Sequence, residues 1–599
     1  MMNSLHSDKK DIIFIQLELF TEAQHSFFNA GMLSIATLLK NEGYSVEYIK
    51  TDELASLNYE SREVLFKKLN PKIVGFNINS DNIQNVAYWA KDIKKWIPGV
   101  IILLGGPLVS ILKESVLNNP FFDMAISGEG EFPALKLCDK IIKDIGTYND
   151  IPGLIYRDNN NDISMNPVSP PIKNLDVLPP IDYSFLHPLL SPGNSAFFYS
   201  SGRGCPFNCS FCFKGVHNQG YRSLSAERVV NDIITTCVKY GAKGISFGDD
   251  NFTSDPARVV DICTRLKEEK LKRNLDFAIW CECRIDIFYK YPYLISALKN
   301  AGLVKLHLGV ENGNQHILDI YNKKITLEQI EFVLEEVAKT GYITSCSDII
   351  IGGAFETEKT LQKTLDFTIK LMHMAPGFFE AFPAFLCPFP KTDIAENPEK
   401  YGITIIDNEW TKFLNFYMPS CETKDLKRVK LVELRNNFVK TIQNEMKKII
   451  AQLDFDVVKF HYNLSSYGFT SFYANTIAVQ SPAAGKYLSL WNNVSRLRLG
   501  DMPYKSLINS KPLRLIEPLY AADKNNAYCL SGYIEEIYIY DKEEKFIYDL
   551  SSGSFTVFEI SELVKNQFDL KISAEEIINN RLIPFYKRLE KSYHIIFQI

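Results

Sequence analysis

Short apolar runs and stretches of helical period alternate along this chain from Asp11 onward. Ile12 to Leu17 reads as a buried strand, about Gly31 to Glu42 as an amphipathic helix closed by Gly43, and Ser45 to Lys50 as the next strand. The cycle repeats with Ile73 to Ile78, a helix from Ile83 to Trp96, and Val100 to Leu104. Apolar strands separated by helices predict a doubly wound parallel sheet. Ligands bind such sheets beyond the carboxyl ends of the strands. At those ends stand Asn77 to Ser80, Gly105-Gly106-Pro107, and Ser127-Gly128-Glu129-Gly130-Glu131. Glycine there lets the main chain approach a bulky ligand closely.

Ile151 to Asp158 reads as a short hairpin strand, and proline-rich Pro167 to Pro192 as a linker that wraps rather than folds. A second alternation follows: helix Ala226 to Tyr240, strand Gly244 to Phe247 ending in Gly248-Asp249-Asp250-Asn251, helix Pro256 to Glu269, and strand Phe277 to Arg284. Strands Lys305 to Glu311, Ser347 to Gly353 and Glu380 to Ala384 continue it. With the strand before Cys205 they make six β/α units, a partial barrel whose polar strand ends face one mouth. Cys281 and Cys283 share one face of their strand, opposite Trp280, Glu282 and Arg284, so the two thiols are predicted to pack beneath helices.

Beyond Asn397 the pattern gives a long charged helix from Lys424 to Gln452 and an aromatic-rich stretch from Asp454 to Ile516 that includes Trp491. Strands at Glu535 to Tyr540 and Lys545 to Leu550 follow, then helices at Val557 to Phe568 and Ala574 to Leu582, with a restart at Pro584. The predicted fold is α/β. It comprises a Rossmann-like doubly wound domain at 1–150, a linker at 151–194, a partial (β/α)6 TIM-like barrel at 195–395, a helical and aromatic cap at 396–525 over the barrel mouth, and a small α+β tail at 526–599.

At 599 residues the chain is too long for one core. Its 66 basic and 71 acidic side chains leave a net charge of −5, which with the lack of basic runs argues against nucleic acid as a partner. Met1 to Lys10 predicts neither signal peptide nor anchor, and no apolar run predicts a membrane span. Twelve cysteines, scattered apart from one central group, suit a reducing cytoplasm.

That group is Cys205, Cys209 and Cys212, spaced C-x3-C-x2-C on the turn-prone Ser200 to Cys212 segment. Three thiolates bind all but one iron of a four-iron cluster and leave that iron open to a small ligand. Structural zinc needs four closed ligands, and no second C-x2-C pair is present. A zinc knuckle completed by a distant histidine, or three unrelated thiols, is the alternative.

The cysteine loop, with Phe211 just before the third cysteine, resembles that of the radical S-adenosylmethionine (SAM) enzymes. Gly75-Phe76-Asn77-Ile78-Asn79-Ser80, Leu104-Gly105-Gly106-Pro107 and Ile126-Ser127-Gly128-Glu129-Gly130-Glu131 resemble, in that order, the cobalamin-binding domain of their cobalamin-dependent branch. The resemblance covers residues 11–395 and implies a [4Fe-4S] cluster, SAM and cobalamin as cofactors. It implies cobalamin contacts from Asn77, Ser80, Gly105, Gly106, Pro107, Gly128 and Glu129. It also implies SAM contacts from Gly248, Asp249, Asp250, Arg284, Glu311, Ile350 and Gly352. A flavodoxin or ferredoxin would supply electrons.

The implied chemistry is reductive cleavage of SAM to a 5′-deoxyadenosyl radical, hydrogen abstraction from an unactivated carbon of a small metabolite or peptide, and methylation of that carbon from methylcobalamin. Cyclisation or rearrangement without methyl transfer ranks second. A non-catalytic cobalamin or cluster sensor is the reading from another class. The 526–599 tail loosely resembles small peptide-recognition domains. The Asp-x-His-x-x-Gly of methionine-synthase-like carriers is missing, and His25 stands at the wrong spacing, so the cobalt is expected to lack a histidine beneath it.

Overall fold

The computed structural model describes residues 9–17, 28–50, 53–54, 56–79, 82–158, 160–186, 196–213, 220–406, 418–480, 499, 502–515, 519–520, 528–530, 537–539, 541–591 and 594–598. Ser80, His25 and Trp491, named above, lie outside the described residues. The chain divides into two compact units, residues 1–442 with 466–469 and residues 443–465 with 470–599.

In the first unit, β1 (Ile12–Gln16) is wholly buried, as its unbroken apolar run requires of a strand covered on both faces. It pairs in parallel with β2 (Val46–Lys50) on one side and β3 (Ile73–Asn77) on the other. β4 (Ile101–Gly105) and β5 (Met124–Ile126) extend the sheet in the same sense. The strand order reverses at β1, which opens a crevice beyond the carboxyl ends of β1 and β3. The helix Ala30–Asn41 begins beside this crevice, capped by Asn29, whose side chain accepts from the Met32 amide. The hairpin expected after Ile151 adds β6 (Leu154–Arg157) and β7 (Ile163–Met165) antiparallel to the edge of the same sheet.

The linker is held at both ends. The Asp182 amide donates to the Thr37 hydroxyl at 3.0 Å, and its carboxylate pairs with Lys40 at 2.6 Å. The Tyr183 ring packs edge-on against Phe28 and Phe197, at 5.4 and 5.1 Å between centroids. Arg228 donates to the main-chain oxygens of Asp176 and Leu178, while the Asp176 carboxylate accepts from the Ser225 amide.

The barrel follows. β8 (Ala196–Tyr199) is succeeded by the short antiparallel pair β9 (Gly202–Arg203) and β10 (Arg222–Ser223). Next come β11 (Gly244–Phe247), β12 (Ala278–Cys283), β13 (Leu303–Leu308), β14 (Thr344–Ile351) and β15 (Phe379–Phe385). With β8 these form one parallel sheet in chain order, the six-stranded partial barrel expected. Cys281 and Cys283 are buried near Cys263 of the Pro256–Arg273 helix, on the side the alternation assigned to them. The other face is polar: Lys305 pairs with Glu380 at 2.9 Å and His307 with Asp348 at 3.3 Å.

Strands Ile403–Ile405 and Cys421–Thr423 pair antiparallel after the barrel. They fold back on its strand ends, where the Thr423 hydroxyl donates to the Glu356 main-chain oxygen at 2.8 Å. The charged helix spans Arg428–Ile450.

In the second unit, Lys511–Arg514 pairs with Ile595–Gln598 beside helices Lys542–Leu550 and Val557–Gln567 and a helical run in which Ala574–Ile577 and Ile583–Lys591 are joined by a π-helical segment, Ile578–Leu582. Ile547, Tyr548, Ile560, Leu582, Tyr586 and Phe597 form its core. The strand expected at Lys545 to Leu550 is therefore a helix. Asp541 starts it by accepting from the Glu543 and Glu544 amides, a cap that outweighs the alternation of Phe546, Tyr548 and Leu550. No described helix is long and apolar enough to cross a membrane.

Candidate cofactor site at the strand ends

The cysteine loop leaves β8 and is pinned along its length. Ser201 donates its amide and its hydroxyl to the two oxygens of Asp249, both at 2.6 Å, and its carbonyl accepts from Arg258 at 2.9 Å. Gly204 turns the chain with φ of 81°, and a Cβ there would fall 2.6 Å from the Gly220 oxygen, so only glycine fits. Further on, the Ser210 amide donates to the Tyr321 oxygen, Asn322 donates to the Asn208 oxygen, and the Phe211 ring stands edge-on to Tyr321 at 5.1 Å.

Cys205, Cys209 and Cys212 are all half-buried on this loop and free of disulfides. Burial pushes the Cys205 thiol up. Arg284 lies over the Phe207 ring at 3.7 Å, with Nη1 3.6 Å from Cys209 Sγ. Asp286 and the Lys323 oxygen hold the rest of its fork. Three soft thiols with one guanidinium beside them suit an iron-sulfur cluster, whose net negative charge the arginine offsets.

The residues named for SAM part company here. Asp250 faces a cavity beside the loop, whereas Asp249 is buried and its oxygens are engaged by Ser201. Burial pushes the Asp249 carboxyl up to about 6, against the Ser201 hydrogen bonds and the Arg258 charge. Gly248 packs against Phe198, whose ring a Cβ would meet at 1.9 Å. Glu311 has φ of 63° and binds Lys323 at 2.5 Å. Ile350 belongs to the apolar cluster that supports Phe211. The Gly352 amide donates to Glu356, whose carboxyl is raised to about 7 by burial. Asn251 Nδ2 is buried with no hydrogen-bond partner among the described residues, the kind of polar atom a bound group satisfies, while the buried Asn312 side chain lies against the Glu356 carboxyl. Sequence reasoning missed Asn251 as a candidate.

Asp249 gives a test. Its carboxyl titrates higher in the fold than in the unfolded chain, so it weakens the fold as pH rises from about 4 to 6, by about 3 kcal/mol, and the loss is constant above that. Asp249→Asn keeps an acceptor for the Ser201 amide, turns the second contact into donation from its own NH2 to the Ser201 hydroxyl, and should remove this pH dependence in thermal melts of the cofactor-free chain. Asp249→Ala should cost about 1–3 kcal/mol by freeing two buried Ser201 donors. Equal pH slopes for wild type and Asp249→Asn would contradict the assignment.

The cavity, about 670 Å³, lies between the carboxyl ends of the first sheet and the cysteine loop. One wall carries Asn77, Gly105, Gly106, Pro107 and Gly128; the other carries Tyr199, Ser200, Arg203, Phe213 and Asp250. Gly106 and Gly128 have φ of 101° and 91°, and the Gly128 amide donates to Ser110 Oγ at 3.2 Å. A Cβ on Gly106 would meet Asn77 Oδ1 at 2.3 Å, whereas one on Gly105 would have nothing within 4 Å. The bare main chain at Gly105 is thus a cradle open to a large ligand.

Glu129 lines the cavity but is already engaged. It accepts from Arg203, Arg222 and the Ile172 amide. Burial raises its carboxyl, and those donors together hold it below the usual range.

Two family models match the chain: the radical SAM superfamily over residues 199–368, and the B12 binding domain over residues 19–136. An uncharacterized methyltransferase of Pyrococcus horikoshii is 30% identical over 346 residues, 57% of this chain and 73% of that protein. The anaerobic magnesium-protoporphyrin IX monomethyl ester cyclase of Rubrivivax gelatinosus is 27% identical over 56% of this chain and 60% of its own. Among solved structures, the radical SAM methyltransferase TsrM of Kitasatospora setae, with cobalamin and a [4Fe-4S] cluster bound, superposes with a TM-score of 0.59. It shares 13% identity, over 78% of this chain and 97% of that one.

Proposed function

Because the chain belongs to the cobalamin-dependent radical SAM enzymes, with a [4Fe-4S] cluster, SAM and cobalamin as cofactors, we propose that it methylates an unactivated carbon of a small metabolite or peptide. The observation that carries this reading is a cavity beside the cysteine loop that the two halves share, walled by Gly105 and Gly106 on one side and by Ser200, Phe213 and Asp250 on the other. Bound in this cavity and on the adjoining cysteine loop, the cofactors would supply one-electron cleavage of SAM and a transferable methyl group.

The chain's own residues bind and orient. Cys205, Cys209 and Cys212 hold the cluster, with Arg284 steadying Cys209. Asp250 offers a carboxylate to the methionyl ammonium, and Asp249 fixes the loop from behind. Gly105, Gly106 and Pro107 present main chain to the corrin. Polar His307 and Asp348 on the inner barrel face suit an acceptor substrate with hydrogen-bonding groups, whereas Lys305 and Glu380 are buried and satisfy each other.

The second reading is radical cyclisation without methyl transfer, favoured by the similarity to the cyclase. SAM carrying a labelled methyl group separates the two. The proposal expects product heavier by the labelled methyl, and label confined to unreacted SAM and methionine would replace it with cyclisation. A non-catalytic sensor would yield no 5′-deoxyadenosine under strong reductant.

A further inference from the structure

We infer that Arg203 is a positioning residue that locks the cluster loop onto the cobalamin-binding sheet. It stands on β9, two residues before Cys205. Nη1 donates to Glu129 at 2.9 Å, in the turn after β5, and Nη2 to Glu131 at 2.5 Å, the first residue of the helix Glu131–Lys143 that follows it. Its strand partner Arg222 donates to the same Glu129 at 2.9 Å and to the Ile172 oxygen at 2.8 Å. Glu131 also accepts from Ser34 at 2.9 Å on the crevice helix. Two adjacent strands of the barrel half are thus tied to two acidic residues of the first domain and to the linker.

The chemistry of the pairs makes this a fixed joint rather than a surface contact. The Glu131 side chain is 3% exposed and that of Glu129 15%, so loss of an arginine would leave a buried charge without its partner. Arg203 needs its planar fork to reach both carboxylates, which a lysine, with one point charge, could not do. The four ionic side chains also line the cavity, so the joint sets the separation of its two walls. Group transfer between cofactors held on opposite walls is sensitive to that separation, a misplacement of about 1 Å costing about 100-fold. This role rests on the proposed placement of cobalamin in the cavity, while the joint itself does not.

The test uses Arg203→Gln, Arg203→Lys and Glu131→Gln, the last keeping an acceptor for Ser34. In the cofactor-free chain, deuterium uptake at residues 129–131 and 201–204 should quicken by about tenfold in both charge-removing variants and less in Arg203→Lys. After reconstitution, aquacobalamin should leave both variants about tenfold faster than wild type, with iron per chain within about twofold. Uptake and release equal to wild type overturn the joint. Iron lost in Arg203→Gln but retained, with wild-type uptake, in Glu131→Gln also overturns it, because Arg203 would then serve the loop alone. Should Arg203→Gln fail to fold, Glu131→Gln decides the same question. A wild-type chain that retains no aquacobalamin counts against the placement of cobalamin, and the uptake ratio then decides the joint by itself.

Discussion

Replacing Cys205, Cys209 or Cys212 with alanine should each reduce 5′-deoxyadenosine formation by more than the roughly 100-fold that loss of a supporting residue costs a metal site. Iron per chain should fall with it. All three thiols sit on one loop whose course is set elsewhere, by Asp249 under Ser201, by Tyr321 under Ser210 and by Asn322 under Asn208. Truncating a thiol therefore leaves the loop anchored, and the fold should survive. Cys281→Ser and Cys283→Ser are the controls. Their sulfurs lie 3.6 Å apart under the helices, and the iron count should not change. Cleavage at the wild-type rate in any of the three alanine variants would remove that cysteine from the ligand set.

The cysteine loop was legible because its chemistry depends on local spacing, which a sequence records directly. The alternating strands were legible for a similar reason: β1 is apolar throughout because both its faces are covered. Roles decided by tertiary partners were not. Asp249 and Asp250 are neighbours of one type, yet Ser201, 48 residues away, engages the first and leaves the second facing the cavity. Glu129 reads as a ligand contact in a Gly-Glu-Gly-Glu turn until two arginines from the barrel are found on it. Their signal was present in Arg203, inside the cysteine motif, but its partners lie more than 70 residues away. The helix Lys542–Leu550 was misread because a period of two in its apolar residues hid the cap at Asp541.

The glycines of the first sheet differ in what a substitution there would report. Gly106 and Gly128 need left-handed backbone, and a Cβ at either would also strike a neighbour, Asn77 or Val168. A bulky residue at those positions would strain the fold before it touched a ligand. Gly105 has neither constraint: its φ is ordinary and its Cβ direction is empty to 4 Å. Gly105→Leu should therefore fold with wild-type stability and push its side chain into the 670 Å³ cavity. If cobalamin lies against that main chain, overpacking costs about 1–3 kcal/mol, so its affinity should fall about ten- to hundredfold. SAM cleavage should persist, since the cluster loop and Asp250 are on the opposite wall. Equilibrium titration with aquacobalamin measures the first and 5′-deoxyadenosine yield the second. Unchanged cobalamin affinity in a stably folded Gly105→Leu would move the cofactor away from this strand end.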